Sequence, residues 1–336
     1  MAWGTAKAGE LLIHLGNKKT GSTSLQGFLA KNQEVLDGRG VNFVSVGRRH
    51  ISHNRLFRPL RTEQAAEIWR EIADEVAAAP NMVHLMSSEV FFDPSIAASM
   101  VNFMPDTLKA KTRMVVYLRR QDQYLEAMYK QMTKNGRVHA VPAEYVRLAG
   151  QELGDYAAIL SMFDQVAGPD TITVRRFERA RLKDGDTIAD FLHLLGMEAT
   201  DPEFVQPGGV ANETLSRAAT QLLGAFARNS KLNSREIARE ILRGDDKPPR
   251  RSGDVFKKLQ RQEMMANFEV GNADVAARYL KDDEAELFNM DNLSDDAEDG
   301  YPSLPEEVEL FMDAQEKVTA AIGRIDARNR AKLFRG

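Results

Sequence analysis

Residues 10–30, ELLIHLGNKKTGSTSLQGFLA, constrain everything that follows them. Leu11, Leu12, Ile13 and Leu15 form an apolar run of strand length, Gly16 and Gly21 bracket a polar loop, and Ser22, Thr23 and Ser24 open a helix. A strand that enters a helix through a glycine loop gathers unpaired N–H groups at the positive helix end, which makes an anion site. The glycine spacing is that of the ATP-binding loop G-x4-G-K-[ST], but Ser22 stands where its lysine belongs, and Lys18 and Lys19 lie inside the loop. On the residues alone two readings stand: a phosphate loop with its cation moved forward, or a plain strand–loop–helix turn with solvated lysines.

The rest of the chain alternates strand and helix patterns. Helices are predicted over 23–36, 63–79, 121–136, 155–166 and 187–197, and strands over 41–47, 82–89, 112–120 and 171–177. Such alternation predicts an α/β fold, a mostly parallel central sheet flanked by helices. Ligands bind such sheets at the carboxyl ends of the strands. Lys19 follows the first strand, and Glu89 and Arg119 stand at the carboxyl ends of theirs, so the three fall on one edge although far apart in sequence. The segment RRHISHNRLFRPLR (48–61) is basic and irregular; His50 and His53 there could contact an acceptor or phosphate, with ordinary loop histidines the favoured reading. From residue 215 the pattern is helical: LSRAATQLLGAFAR, SREIAREILRG and one long helix over 255–280. An acidic stretch over 281–300 and a last helix with basic residues at its end close the chain.

The motif HLGNKKTGSTSLQGFL resembles the 5′-phosphosulfate loop of sulfotransferases, above all the bacterial sulfotransferase-like family, whose form is H-x-G-x-x-K-T-G-[ST]-[ST]-S-x-Q. DYAAILSMFDQVAGPDTITVRRFERARL, DFLHLLGME, NETLSRAATQLL and NADVAARYL extend the likeness over residues 10–290. It implies a P-loop NTPase-like fold, a domain over 8–290 (mainly helical from 215), and a separate 291–336 of acidic loop and amphipathic helix. It also implies 3′-phosphoadenosine 5′-phosphosulfate (PAPS) as donor and no metal. Carried over by position, Lys19, Thr20, Gly21, Ser22 and Thr23 hold the 5′-phosphate, Lys19 also meets the leaving oxygen, and Glu89 is the base. Arg119 reads the 3′-phosphate, and Arg251 in RRSG (250–253) stands for the family's nucleotide-closing loop. The family's second 3′-phosphate ligand, a serine eight residues after the arginine, is Ala127 here. A hydroxyl contact to a charged group is worth ~1.5–3 kcal/mol. Arg120 and Lys130 are the residues able to replace it.

Other readings differ in what they need. A nucleotide or small-molecule kinase on the same fold lacks the lysine after Gly21 and a magnesium element. A non-catalytic nucleotide-binding relative draws its support from Ala127. A net charge of −4 gives no basic field for nucleic acid, and the absence of cysteine rules out disulfides and thiolate metal sites. No apolar run has membrane-span length and the N-terminus lacks a leader pattern, so a cytoplasmic enzyme acting on a small-molecule or carbohydrate acceptor is expected.

Overall fold

The computed structural model describes residues 6–138, 140–206, 217–229, 233–243, 255–280, 286–294 and 304–333. In chain order its strands and α-helices are β1 (Leu11–His14), α1 (Ser22–Lys31), α2 (Gln33–Gly38), β2 (Val41–Phe43), α3 (Ala65–Ala78), β3 (Val83–Ser87), α4 (Pro94–Phe103), α5 (Asp106–Lys109), β4 (Thr112–Leu118) and α6 (Gln121–Lys134). They continue as α7 (Pro142–Gly154), α8 (Tyr156–Ala167), β5 (Ile172–Arg176), α9 (Thr187–Leu194), α10 (Arg217–Asn229), α11 (Ser234–Arg243), α12 (Lys258–Ala266), α13 (Glu269–Tyr279) and α14 (Leu304–Leu333). The chain divides into two compact units.

The first unit is built from 1–120, 155–210 and 269–288. Its five strands pair in the order β2-β3-β1-β4-β5, every pair parallel. Parallel strands need crossover helices, which cover both sheet faces and keep the strands dry. All four residues of β1 are buried, and in β4 only Arg113 is partly exposed. On one face Leu12, Leu85, Val115 and Tyr117 pack with Leu25, Phe28, Leu29 and Phe191 of α1 and α9. The alternate strand residues Leu11, Ile13, Met86, Met114 and Val116 are buried on the other face. Beyond them, the Trp69 indole N–H donates to Ser99 Oγ at 3.1 Å and ties α3 to α4, and Phe92 stacks on Phe163 of α8.

The second unit comprises 121–154, 211–268 and 289–336, and its described elements are helical. Ala218, Ala219 and Leu223 of α10 meet Ile237, Ala238 and Ile241 of α11 and Ala314, Val318 and Ala321 of α14. Small residues on facing helices let the axes approach closely. A buried ion network joins α6 to α12: Arg261 pairs with Asp122 at 2.9 Å and with Glu126, and Lys130 Nζ lies 2.6 Å from Glu126.

The α/β architecture is the expected one, with local departures. The helix read over 23–36 is two helices, because Asn32 leaves the helical region (φ −105°, ψ 22°) and ties its side chain to Val205: the Val205 N–H donates to Asn32 Oδ1 at 2.7 Å. The strand over 41–47 stops at Phe43, where Glu75 of α3 takes the Ser45 and Val46 N–H groups at 2.8 and 3.0 Å. The helix over 255–280 is α12 and α13, broken where the chain leaves the second unit and enters the first. Helices α4, α5 and α7 fall outside the helices predicted from the sequence and are additions.

Candidate functional site

The loop after β1 holds three residues with positive φ: Gly16 (55°), Lys19 (64°) and Gly21 (79°). For lysine this left-handed conformation costs about 1–2 kcal/mol, so the loop fold overrides the local preference of Lys19. The turn closes on itself: the Thr20 and Ser22 hydroxyls donate to the Asn17 carbonyl at 2.5 and 3.3 Å, and both residues are buried. Lys18, Lys19 and Thr23 are exposed. Helix α1 starts at Gly21 with no side-chain cap and no acidic residue in its first turn. Among the described residues, the N–H groups of Thr20, Gly21, Ser22 and Thr23 donate to no carbonyl. A buried donor, Asn17 Nδ2, also finds no partner among them. An uncapped helix start with successive N–H groups that reach no carbonyl fits a phosphate or sulfate.

Packing fixes the loop against its neighbours. A Cβ on Gly16 would lie 2.2 Å from the Ser88 carbonyl and 2.9 Å from Glu89 Cα. Gly16 therefore lets the loop backbone touch the segment that carries Glu89, two residues beyond β3. A Cβ on Gly21 would lie 2.9 Å from Thr187 Oγ1, at the start of α9. Arg119, one residue beyond β4, donates from Nη1 to the Lys19 carbonyl at 3.5 Å, and its guanidinium lies 6.0 Å from the centre of the Phe177 ring. The Tyr156 hydroxyl donates to the Arg119 carbonyl at 2.8 Å and anchors the backbone behind it. The Glu89 backbone and the Arg119 guanidinium thus both border the loop that carries Lys19, at the carboxyl edge of the sheet.

Behind the loop His14 is fully buried, with Nδ1 2.8 Å from Ser87 Oγ and its ring edge-on to Tyr117 and Phe191. Burial drives its pKa from 6.5 down to about 3, so the ring is neutral. His53 is not the ordinary loop histidine of the sequence reading. It is buried, its Nε2 faces the Val44 carbonyl at 3.0 Å and its Nδ1 accepts from the Ser87 N–H at 3.2 Å. Burial lowers its pKa to about 4. The neutral ring with its proton on Nε2 satisfies both contacts and pins the basic segment to the end of β3.

Asn54, next to His53, had no signal in the sequence, since loop asparagines are common. Its Oδ1 accepts from the Glu89 N–H and the Ser88 hydroxyl, each at 2.9 Å, and its Nδ2 faces Glu89 Oε1 at 3.4 Å. In the second unit, Ala127 is half-buried on α6, and Lys130 is engaged by Glu126. Arg120 is buried at 3% exposure. Arg251 lies outside the described residues. Among the described residues no group of three or more His, Cys, Asp or Glu could hold a metal ion, and no helix is long and apolar enough to cross a membrane.

The fold is an α/β protein with an all-parallel five-stranded sheet, and its first strand enters a helix through a glycine-bracketed loop. No family model matches the chain. An uncharacterized protein of Archaeoglobus fulgidus is 30% identical over 149 residues, 44% of this chain and 39% of that protein, so the chain spans well under half of that relative's length. Among solved structures, a sulfotransferase from Alicyclobacillus acidocaldarius matches with a TM-score of 0.37 and 17% identity, over 66% of this chain and 96% of that one. A sulfotransferase domain from the curacin biosynthetic pathway matches with a TM-score of 0.33 and 14% identity, over 62% and 80%.

Proposed function

We propose that this chain is a PAPS-dependent sulfotransferase that moves a sulfuryl group to a hydroxyl or amine of a small-molecule or carbohydrate acceptor. The observation that carries the reading is the convergence on one uncapped anion loop of a lysine within it, an arginine donating to that lysine's carbonyl and a carboxylate segment in contact with Gly16. A kinase on this fold would need the lysine after Gly21, where Ser22 stands.

The chemistry asks the protein mainly for alignment and charge stabilisation. The loop N–H groups from Thr20 to Thr23 cradle the 5′-phosphate, and Arg119 meets the 3′-phosphate. The acceptor oxygen bonds to sulfur as the sulfur–oxygen bond to the 5′-phosphate breaks. The electron pair of that bond stays on the phosphate oxygen, where Lys19 meets the growing charge. Glu89 takes the acceptor proton. No step requires a metal ion.

The test is calorimetric titration of the full chain with adenosine 3′,5′-bisphosphate, with ADP as control. Binding of the bisphosphate at least tenfold tighter than ADP is the expected result. A preference for ADP would replace this reading with the kinase, and binding of neither would point to a fold that has lost its donor.

A further inference from the structure

Glu89 is held by one side chain from outside the sheet. Asn54 opens a short 3-10 turn, Asn54–Phe57, directly after the buried His53. The His53 N–H donates to the Ser87 carbonyl at 2.9 Å, so the backbone leading into Asn54 is fastened to the last residue of β3. From there Asn54 reaches the next two residues, Ser88 and Glu89, with both ends of its amide. The carbonyl end receives the Ser88 hydroxyl and the Glu89 N–H at 2.9 Å each, and the NH2 end faces one oxygen of the Glu89 carboxylate at 3.4 Å.

We infer that Asn54 is a positioning residue for Glu89: it fixes the turn that carries the carboxylate and occupies Oε1, which leaves Oε2 to take the acceptor proton. The inference rests on the sulfotransferase reading in which Glu89 is the base. The chemistry of the amide suits the task. An amide offers an acceptor and a donor about 2 Å apart on one rigid plane, so a single side chain can hold both the backbone and the head group of the same glutamate. Aspartate keeps the acceptor and loses the donor, and a second carboxylate then faces Glu89. Alanine loses both. The hydrogen bond to Oε1 is long without a ligand, as catalytic contacts often are before the reacting groups are bound. The Gly16 contact places the phosphate loop on the same turn, so a shift of Glu89 changes its distance to the transferring group.

The test uses the full chain and an assay that needs no identified acceptor: release of sulfate from PAPS with water as acceptor. Bisphosphate affinity by calorimetry and the melting temperature are measured alongside. Glu89→Gln serves as the reference and should lose turnover while keeping bisphosphate affinity. Asn54→Ala and Asn54→Asp should each lower kcat about tenfold to a hundredfold, the worth of a hydrogen bond to a charged group, with KM for PAPS and bisphosphate affinity unchanged. A purely structural Asn54 would make Asn54→Asp, which keeps the clamp on the backbone, resemble the wild type. The inference is overturned if Asn54→Asp stays within twofold of the wild type in kcat while Glu89→Gln is inactive. If Glu89→Gln keeps full turnover, Glu89 is not the base and the role of Asn54 falls with it, while transfer from PAPS stands; if the wild type neither releases sulfate nor binds the bisphosphate, the sulfotransferase reading itself fails.

Discussion

Gly16→Ala tests the link between the β1–α1 loop and the strand end that carries Glu89. Two costs act at that position. The backbone φ of 55° is left-handed, and an L-residue there costs about 1–2 kcal/mol. The new Cβ would also sit 2.2 Å from the Ser88 carbonyl and 2.9 Å from Glu89 Cα, backbone atoms that cannot swing away as a side-chain tip would. Relieving such an overlap costs a further ~1–3 kcal/mol, for a total of ~2–5 kcal/mol. Gly40→Ala is the control, because Gly40 has φ 80° and nothing within 4 Å of its Cβ position. It carries the conformational cost of about 1–2 kcal/mol alone. Urea unfolding of both variants should therefore differ by the overlap. Bisphosphate titration should show weakened binding for Gly16→Ala and unchanged binding for Gly40→Ala. Equal stabilities, within ~0.5 kcal/mol, together with intact binding in Gly16→Ala, would refute the claim that the loop and the Glu89 turn are packed as one piece.

Three other outcomes follow from the same geometry. Arg119→Ala should weaken adenosine 3′,5′-bisphosphate by ~1.5–3 kcal/mol and adenosine 5′-monophosphate far less; equal losses in calorimetry would remove Arg119 from the 3′-phosphate. His14 and His53 are held neutral by burial, with pKa values of about 3 and about 4 against 6.5. The unfolded chain binds those protons first, so stability is complete above pH 6.5 and falls as pH drops below it, by roughly 2 kcal/mol per histidine at pH 5. Unfolding in urea at pH 7 and pH 5 measures this, and a slope unchanged in His53→Gln would disprove that histidine's share. In the second unit Arg261→Met leaves Asp122 and Glu126 buried without their guanidinium. It should cost ~3–5 kcal/mol, and a loss below ~1 kcal/mol in urea unfolding would mean that water already reaches the pair.

Alternating strand and helix patterns along the chain are enough to specify a parallel sheet, because buried parallel strands must be apolar runs and their crossovers must be helices. The glycine-bracketed strand–loop–helix turn is legible in the same way, because glycine spacing and a helix start are local. Local signals could not separate one helix from two at Asn32, since the break comes from a bond to Val205 far along the chain. Nor could they single out Asn54 or the burial of His53. Both residues sit in a basic, irregular segment whose composition reads as solvent-exposed loop, and only the approach of that segment to the end of β3 gives them partners. Only the fold explains why Gly16 must be glycine: the reason is Ser88 and Glu89, 72 and 73 residues away in sequence and in contact through the pairing of β1 with β3. Pattern fixes which elements form, because hydrogen-bonding periodicity is local. Strand pairing fixes which side chains meet, because contact depends on the order of strands in the sheet.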